Sequence, residues 1–388
     1  MPENPQEKVS PERWEMSRRR MLRGLGVAAA TVPFAGALTE MLTDMPASAS
    51  PAERKAAGQR VARNSVFESP FASHPAYKFT MVNHVTTNPF FVPTRYGASD
   101  AGVLLGCSYT WNGSANSIVS EMVAALDTAI SARVNGIATT VITPTGFVEP
   151  TNRALAAGIP VVAYNSNVPA QEYPKQAALN HQMSYVGQDL FQAGVNAGNQ
   201  ILKYVKKGDL VAGFIATPGT LNIQPRIDGA ASVLKPAGIN FPEIGTGALL
   251  SQESTAINAW YLGHKDVKFM YCVDAGSTSE AAAVVEKYNL KGKVLVGGFD
   301  FLTTTVGAVQ KGYQLWTIDQ QPYQQGFMPI LELFLYNVSG GLQAPVDIDT
   351  GLKFVTKSSI GPYTLKDRYE GSSSAAATLT PPKTIAYS

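Results

Sequence analysis

Apolar and polar positions follow two different periods along this chain. Short runs rich in β-branched residues recur at 79–85, 102–108, 137–142, 160–165, 210–215, 267–273, 294–298 and 313–318. Runs of this length and kind read as buried parallel strands. Between them the period lengthens. Ile118, Met122, Leu126 and Ile130 recur every fourth residue, with Val119 and Val123 alongside, which puts one apolar stripe on a helix. Segments 188–206, 225–234, 277–288 and 322–338 also read as helices. Strand–helix alternation predicts βα units, parallel sheets and right-handed crossovers. The patterned region, about 280 residues, exceeds what one sheet and core usually need, so two α/β lobes are expected.

The ends of the chain lack this pattern. Ser17-Arg18-Arg19-Arg20-Met21-Leu22 precedes a modest apolar stretch that runs toward Ala47-Ser48-Ala49. A basic region, an apolar region and a small-residue site in that order read as an export signal over 1–49. The paired arginines are similar to a twin-arginine signal. Pro33, Glu40 and Asp44 interrupt the run, short of the ~20 apolar residues that a membrane span needs. Gly24 and Gly26 open a G-x-G-x-x-A string, but it lies inside the signal, not in the βαβ context that a dinucleotide site requires. No cysteine stands near the cleavage region, so a lipid anchor is not expected and the mature protein is read as periplasmic or extracellular. Residues 50–77 read as a linker, and 358–388 as a loose tail.

Composition narrows the function classes. Hydrophobic residues make up 45% of the chain, with 34 Gly and 25 Pro, which fits a globular protein with many turns. The net charge is +2, without the basic–aromatic patch that nucleic-acid binding requires. Cys107 and Cys272 are the two cysteines, read as buried thiols or, in an exported protein, a disulfide. The four histidines are scattered without metal-ligand spacing, and no metal or cofactor is expected. There is no G-x-S-x-G, no H-E-x-x-H and no P-loop, so a catalytic set finds little support.

Ligands of open parallel sheets sit beyond the carboxyl ends of the strands. Those ends carry Asn88, Asn165, Asp274, Asp300 and the pair Asp319-Gln320. Carboxylates and carboxamides suit vicinal hydroxyls, and Phe90 and Phe91, just after Asn88, could cover the C–H face of a sugar or polyol. Each polar residue alone is as consistent with a turn or a helix cap. Asn88 before Pro89 is a natural N-cap, since proline suits the first helical turn. Jointly they predict a polar rim shared by two lobes. Asp274 and Asp300 could instead be the two carboxylates of a glycosidase.

The string NPFF at 88–91, IPVVAYN at 159–165, GGFD at 297–300 and TIDQQP at 317–322 resemble the ribose-binding branch of the type I periplasmic binding proteins of ABC importers. The resemblance covers about 78–357. It implies two Rossmann-like lobes, parallel sheets flanked by helices, joined by a three-strand hinge. The N-terminal lobe would be 78–183 plus 321–346, and the C-terminal lobe 184–320 plus 347–357. It implies a monomer that closes on a small ligand and delivers it to an ABC permease. Ligand contacts would come from Asn88, Phe90, Phe91, Asn165, Asp300 and Gln320, with Asp274 on the rim.

The departures from the pattern concern charge. Ser166 follows Asn165 where the family has an arginine, and Gln224 stands where another ligand arginine is expected. Arg226 falls where a structural arginine usually lies, so it reads either as scaffold, the favoured role, or as a ligand contact; it, Gln224 and Trp111 complete the ten candidate ligand residues. Val273 replaces an asparagine. Trp111 could add an aromatic wall or be a loop residue. A cleft with fewer cations points to a neutral sugar or polyol rather than an acidic sugar. An exported carbohydrate-active enzyme, glycosidase or lyase, and a sensor module for a chemoreceptor or kinase stay open. The export signal argues against a regulator effector domain.

Overall fold

The computed structural model describes residues 74–166 and 184–364. The expected export signal and the parts of the linker and tail at 50–73 and 365–388 lie outside them.

Among the described residues two six-stranded sheets carry the architecture, and each is built from βα units. The first contains β1 (Lys78–Asn83), β2 (Ser108–Gly113), β3 (Gly136–Thr139), β4 (Val161–Tyr164), β5 (Ser184–Gly187) and β11 (Ile348–Asp349). Their order is β2-β1-β3-β4-β5-β11. The second contains β6 (Val211–Ile215), β7 (Glu243–Gly245), β8 (Phe269–Cys272), β9 (Leu295–Phe299), β10 (Trp316–Asp319) and β12 (Lys353–Thr356). Their order is β7-β6-β8-β9-β10-β12. Pairing is parallel throughout, except that β12 runs antiparallel to β10. In each sheet the order reverses at the first strand, between β1 and β3 and between β6 and β8, and a switch point of this kind opens a crevice.

Among the described residues the chain passes between the sheets three times: after β5, after β10 and between β11 and β12. That agrees with the expected hinge. The crossings refine the expected boundaries. Residues 184–187 and 348–349, expected in the second lobe, pair in the first sheet.

The helices among the described residues are α1 (Val92–Leu105), α2 (Val119–Ser131), α3 (Val148–Ala156), α4 (Leu190–Ile201), α5 (Gln224–Leu234), α6 (Leu250–Gly263), α7 (Ala275–Lys287), α8 (Thr303–Lys311) and α9 (Gln324–Val338). The stripe Met122–Leu126 on α2 buries into a core with Val82, Ile137 and Phe147 under the first sheet. Phe269, Tyr271, Phe299 and Trp316 fill the equivalent place in the second.

One strand expectation is corrected. Residues 102–105 are the end of α1, not a strand, and the helix stops at Gly106 with φ 63°. Val103 and Leu104 of that apolar run face solvent, at 83% and 65% exposure, so the run is not core. The strand begins where it ends, at Ser108.

Each half pairs two helices so closely that only glycine fits. A Cβ on Gly97 of α1 would lie 2.0 Å from the Tyr323 carbonyl oxygen, and one on Gly326 of α9 1.8 Å from that of Thr94. In the second half, a Cβ on Gly194 of α4 would meet the Arg226 oxygen at 2.3 Å, and one on Gly229 of α5 the Phe191 oxygen at 2.1 Å. These contacts fix where α9 and α5 start, and both starts carry site residues.

Candidate functional site

The carboxyl ends of strands from both sheets face one cleft of about 590 Å³, open mouth included. Asn88, Phe90, Phe91, Asn165, Arg226, Asp274, Asp300 and Gln320 all line it. The structure therefore brings together eight of the ten residues singled out from sequence.

On the first-sheet side, β1 ends and Pro89–Phe91 form one 3₁₀ turn ahead of α1. Asn88 caps that turn, its Oδ1 accepting the Phe90 N–H at 2.9 Å. The cap reading and the rim reading thus hold together: the carboxamide oxygen serves the turn while the residue borders the cleft. Phe90 and Phe91 meet edge to face, ring centroids 4.7 Å apart, an arrangement that aromatic quadrupoles favour. They pack with Ala275 and Leu302 from the second-sheet side, so the two rims touch.

A hydrogen-bonded chain crosses the floor. Asn165 Nδ2 donates to Gln325 Oε1 at 2.9 Å and to Gln320 Oε1 at 3.3 Å. Gln320 Nε2 donates to Asp300 Oδ1 at 2.7 Å. Asn165 and Asp300 both sit in the left-handed region, at φ 61° and 71°. Asn and Asp tolerate that region best among non-glycine residues, and such backbone clusters at functional sites.

Arg226, 1% exposed, closes the chain. Its Nη1 lies 3.7 Å from Asp300 Oδ2 and donates to the Val273 carbonyl at 2.8 Å. Its Nη2 reaches Gln188 Oε1 at 3.4 Å, and the guanidinium lies 4.1 Å over the Phe299 ring. Arg226 is the one arginine or lysine on the cleft wall among the described residues.

Burial decides the charge states. It pushes the Asp300 carboxyl up to about 6, against the opposing pull of Arg226 and of the Gln320 hydrogen bond. Asp274 is used twice by the scaffold: Oδ1 accepts the Ser277 N–H at 2.8 Å, capping α7, and Oδ2 accepts the Ala216 N–H at 2.9 Å. Beside it, Glu253 of α6 hydrogen-bonds Asp274, and burial together with that carboxylate holds Glu253 far above the usual carboxylate range.

Two expected residues stand outside the wall. Trp111 supports it from behind, its ring 6.1 Å from that of Phe91 and its Nε1 donating to the Thr86 carbonyl at 3.3 Å. Gln224 turns the other way, bonding Gly219 N, Asp228 and Glu243. Conversely, His84, Asn222 and Glu253 line the cleft without having been singled out. His84 directly follows β1, so strand-end logic could have found it. Glu253 and Asn222 carry no sequence signal, because a helix and a loop from the second half bring them in.

Residues 79–336 match the family described as "Periplasmic binding protein domain". The chain is 48% identical over 309 residues to a xylose/arabinose-binding protein, XylF, of Sulfolobus acidocaldarius, covering 78% of this chain and 76% of that one. Among solved structures it is similar to an ABC transporter solute-binding protein of Burkholderia graminis in complex with D-arabinose. That match has 28% identity and a TM-score of 0.68, over 75% of this chain and 99% of the other. A carbohydrate transporter protein of Acidothermus cellulolyticus, in complex with myo-inositol, matches at 25% identity and a TM-score of 0.64, over 74% and 96% of the two chains.

Proposed function

Because the chain belongs to the periplasmic binding protein family and has its type I fold, we propose that it captures a neutral pentose such as xylose or arabinose outside the cytoplasmic membrane and delivers it to an ABC permease. The observation that carries this reading is the cleft itself. Two buried phenylalanines from one rim face Arg226, Asp300 and Gln320 from the other, which matches the apolar face and hydroxyl edge of a sugar ring. The pentose class comes from the xylose/arabinose-binding relative and agrees with a wall that carries a single guanidinium.

In this reading Asn88, Asn165, Asp274, Asp300, Arg226 and Gln320 form the polar rim around the sugar. Trp111 backs the stacking ring and Gln224 braces the start of α5. The chain makes and breaks no bond. A ligand bridging the two lobes stabilises the closed arrangement by its differential affinity for it. The protein works as a monomer, and the twin-arginine-like leader exports it.

A thermal-shift panel on the chain lacking residues 1–49 tests the proposal, using pentoses, hexoses, inositols, amino acids and sugar acids. A true ligand at 100 times its dissociation constant adds about 2.7 kcal/mol of stability. D-xylose or L-arabinose should raise the melting temperature with no sugar consumed. Turnover of a glycoside, or stabilisation by sugar acids alone, would overturn the reading.

A further inference from the structure

Charge is unevenly placed on the second half of the molecule. In a sheet of βα units each helix returns to its next strand at the amino edge, the edge away from the cleft. Five such returns serve the second sheet: α4 to β6, α5 to β7, α6 to β8, α7 to β9 and α8 to β10. Together with the adjoining helix ends they carry ten of the thirteen lysines among the described residues, from Lys203 to Lys311, and all ten are exposed. Three carboxylates accompany them, Asp209, Asp266 and Glu286. The cleft-side connections of the same sheet hold no lysine. The matching returns of the first sheet carry Arg133 and Asp347, with Lys78 opening β1, and Arg153 at the end of α3 is paired with Asp127 and Glu149.

The five returns form one face. The Gly208 N–H donates to the Gly238 carbonyl at 2.9 Å, that of Lys268 to Leu210 at 2.9 Å, and that of Leu295 to Lys268 at 3.0 Å. Lys291 Nζ donates to the Lys311 carbonyl. Helix dipoles account for Lys287 and Lys311, which sit in last turns; the other eight lysines lie beyond the helix ends. Lys311 pairs with Glu286 at 3.5 Å, which leaves most of the charge unneutralised by the protein. Crowded like charges repel, so a face of this kind suits an anionic partner.

We propose that this lysine face docks the protein on an anionic lipid bilayer. Every cation on it is an ammonium, a compact point charge without the planar fork that arginine uses to grip a single phosphate, and this fits a diffuse anionic plane better than a built anion pocket. Tyr204 and Leu262 stand exposed among the lysines, at 46% and 51%, and amphipathic or apolar side chains of this kind settle at headgroup level. Juxtamembrane lysines are drawn to such a surface and released as salt screens it. Docking through the amino edge of one sheet leaves the cleft in the aqueous phase and the first lobe free to move, whichever sugar the cleft takes.

Co-sedimentation with vesicles tests this. Both sheets and their cores lie within residues 74–364, so the chain lacking residues 1–49 keeps them and removes the basic leader from the measurement. It should bind phosphatidylcholine vesicles containing phosphatidylglycerol at low salt, leave them at about 0.5 M salt, and ignore pure phosphatidylcholine. Lys268→Gln with Lys293→Gln should weaken binding at least fivefold at an unchanged melting temperature, and Lys78→Gln with Arg133→Gln less than twofold. Amine labelling on the vesicle should spare Lys268 and Lys293 and still modify Lys78. Binding to both kinds of vesicle alike, to neither, equal losses in the two double variants, or retention on an anionic polysaccharide without vesicle binding would overturn the proposal.

Discussion

Asp300→Asn is expected to stabilise the ligand-free protein at neutral pH and to weaken sugar binding by about 10- to 100-fold. Asp300 is 5% exposed, and its carboxyl rises from 3.8 to about 6 on folding even with Arg226 3.7 Å away. Desolvation therefore outweighs the Coulombic attraction, as it can for buried ion pairs. The sign follows from proton uptake. Between pH 3.8 and 6 the folded state holds a proton that the unfolded state has released, so stability falls as pH rises through that window and stays lower above it. At 1.36 kcal/mol per pKa unit the cost above pH 6 is about 3 kcal/mol.

Asparagine keeps the acceptor for Gln320 and avoids that cost. It also removes an ionised acceptor from the cleft wall, and a hydrogen bond to a charged group is worth about 1.5–3 kcal/mol. Urea unfolding of both proteins from pH 4 to 8 checks this: the variant should gain on wild type as pH rises to 6 and hold the gain above. His84 works in the opposite direction in both proteins. Its pKa falls from 6.5 to about 4 on folding, so that contribution is lost as pH falls through the same range, and only the difference between the two proteins isolates Asp300. A variant less stable than wild type at pH 7 would mean that the ion pair, not desolvation, dominates.

Gly326→Ala should cost about 3 kcal/mol or more, because overpacking against a rigid neighbour cannot relax. The added Cβ would fall 1.8 Å from the Thr94 carbonyl oxygen, and the neighbouring atoms at 2.7 and 3.0 Å are backbone as well. No rotamer relieves it, so α1 and α9 must separate. The start of α9 holds Gln325, which bonds Gln320 and Asn165, so the floor of the cleft would shift with the helix. Gly307→Ala is the control. It lies inside α8 with nothing within 4 Å of an added Cβ, and alanine should there add about 0.4–1 kcal/mol. Denaturant midpoints for the three proteins read the contrast.

The two-lobe architecture was legible because buried parallel strands write β-branched runs and their carboxyl ends write Asn and Asp. Asn165 and Asp300 stood out at strand ends, and the family resemblance picked Gln320 from the pair Asp319-Gln320. The logic failed where an apolar run is not buried, as at Val103 and Leu104, and where strands are too short or too exposed to leave a pattern, as in β7 and β11. The cleft residues missed, Asn222 and Glu253, occupy no strand end. Their place depends on how a loop and a helix of one half approach the other, which no local period encodes. Trp111 and Gln224 show the converse: sequence position put them near the wall, and side-chain direction took them off its surface.

A crystal structure of the protein grown with D-xylose or L-arabinose tests the central claim most directly. It should show one sugar ring against Phe90 and Phe91, with hydroxyls within hydrogen-bond distance of the Asp300 carboxylate and the Arg226 guanidinium. An empty cleft at saturating sugar, or a ring bound elsewhere on the surface, would contradict it.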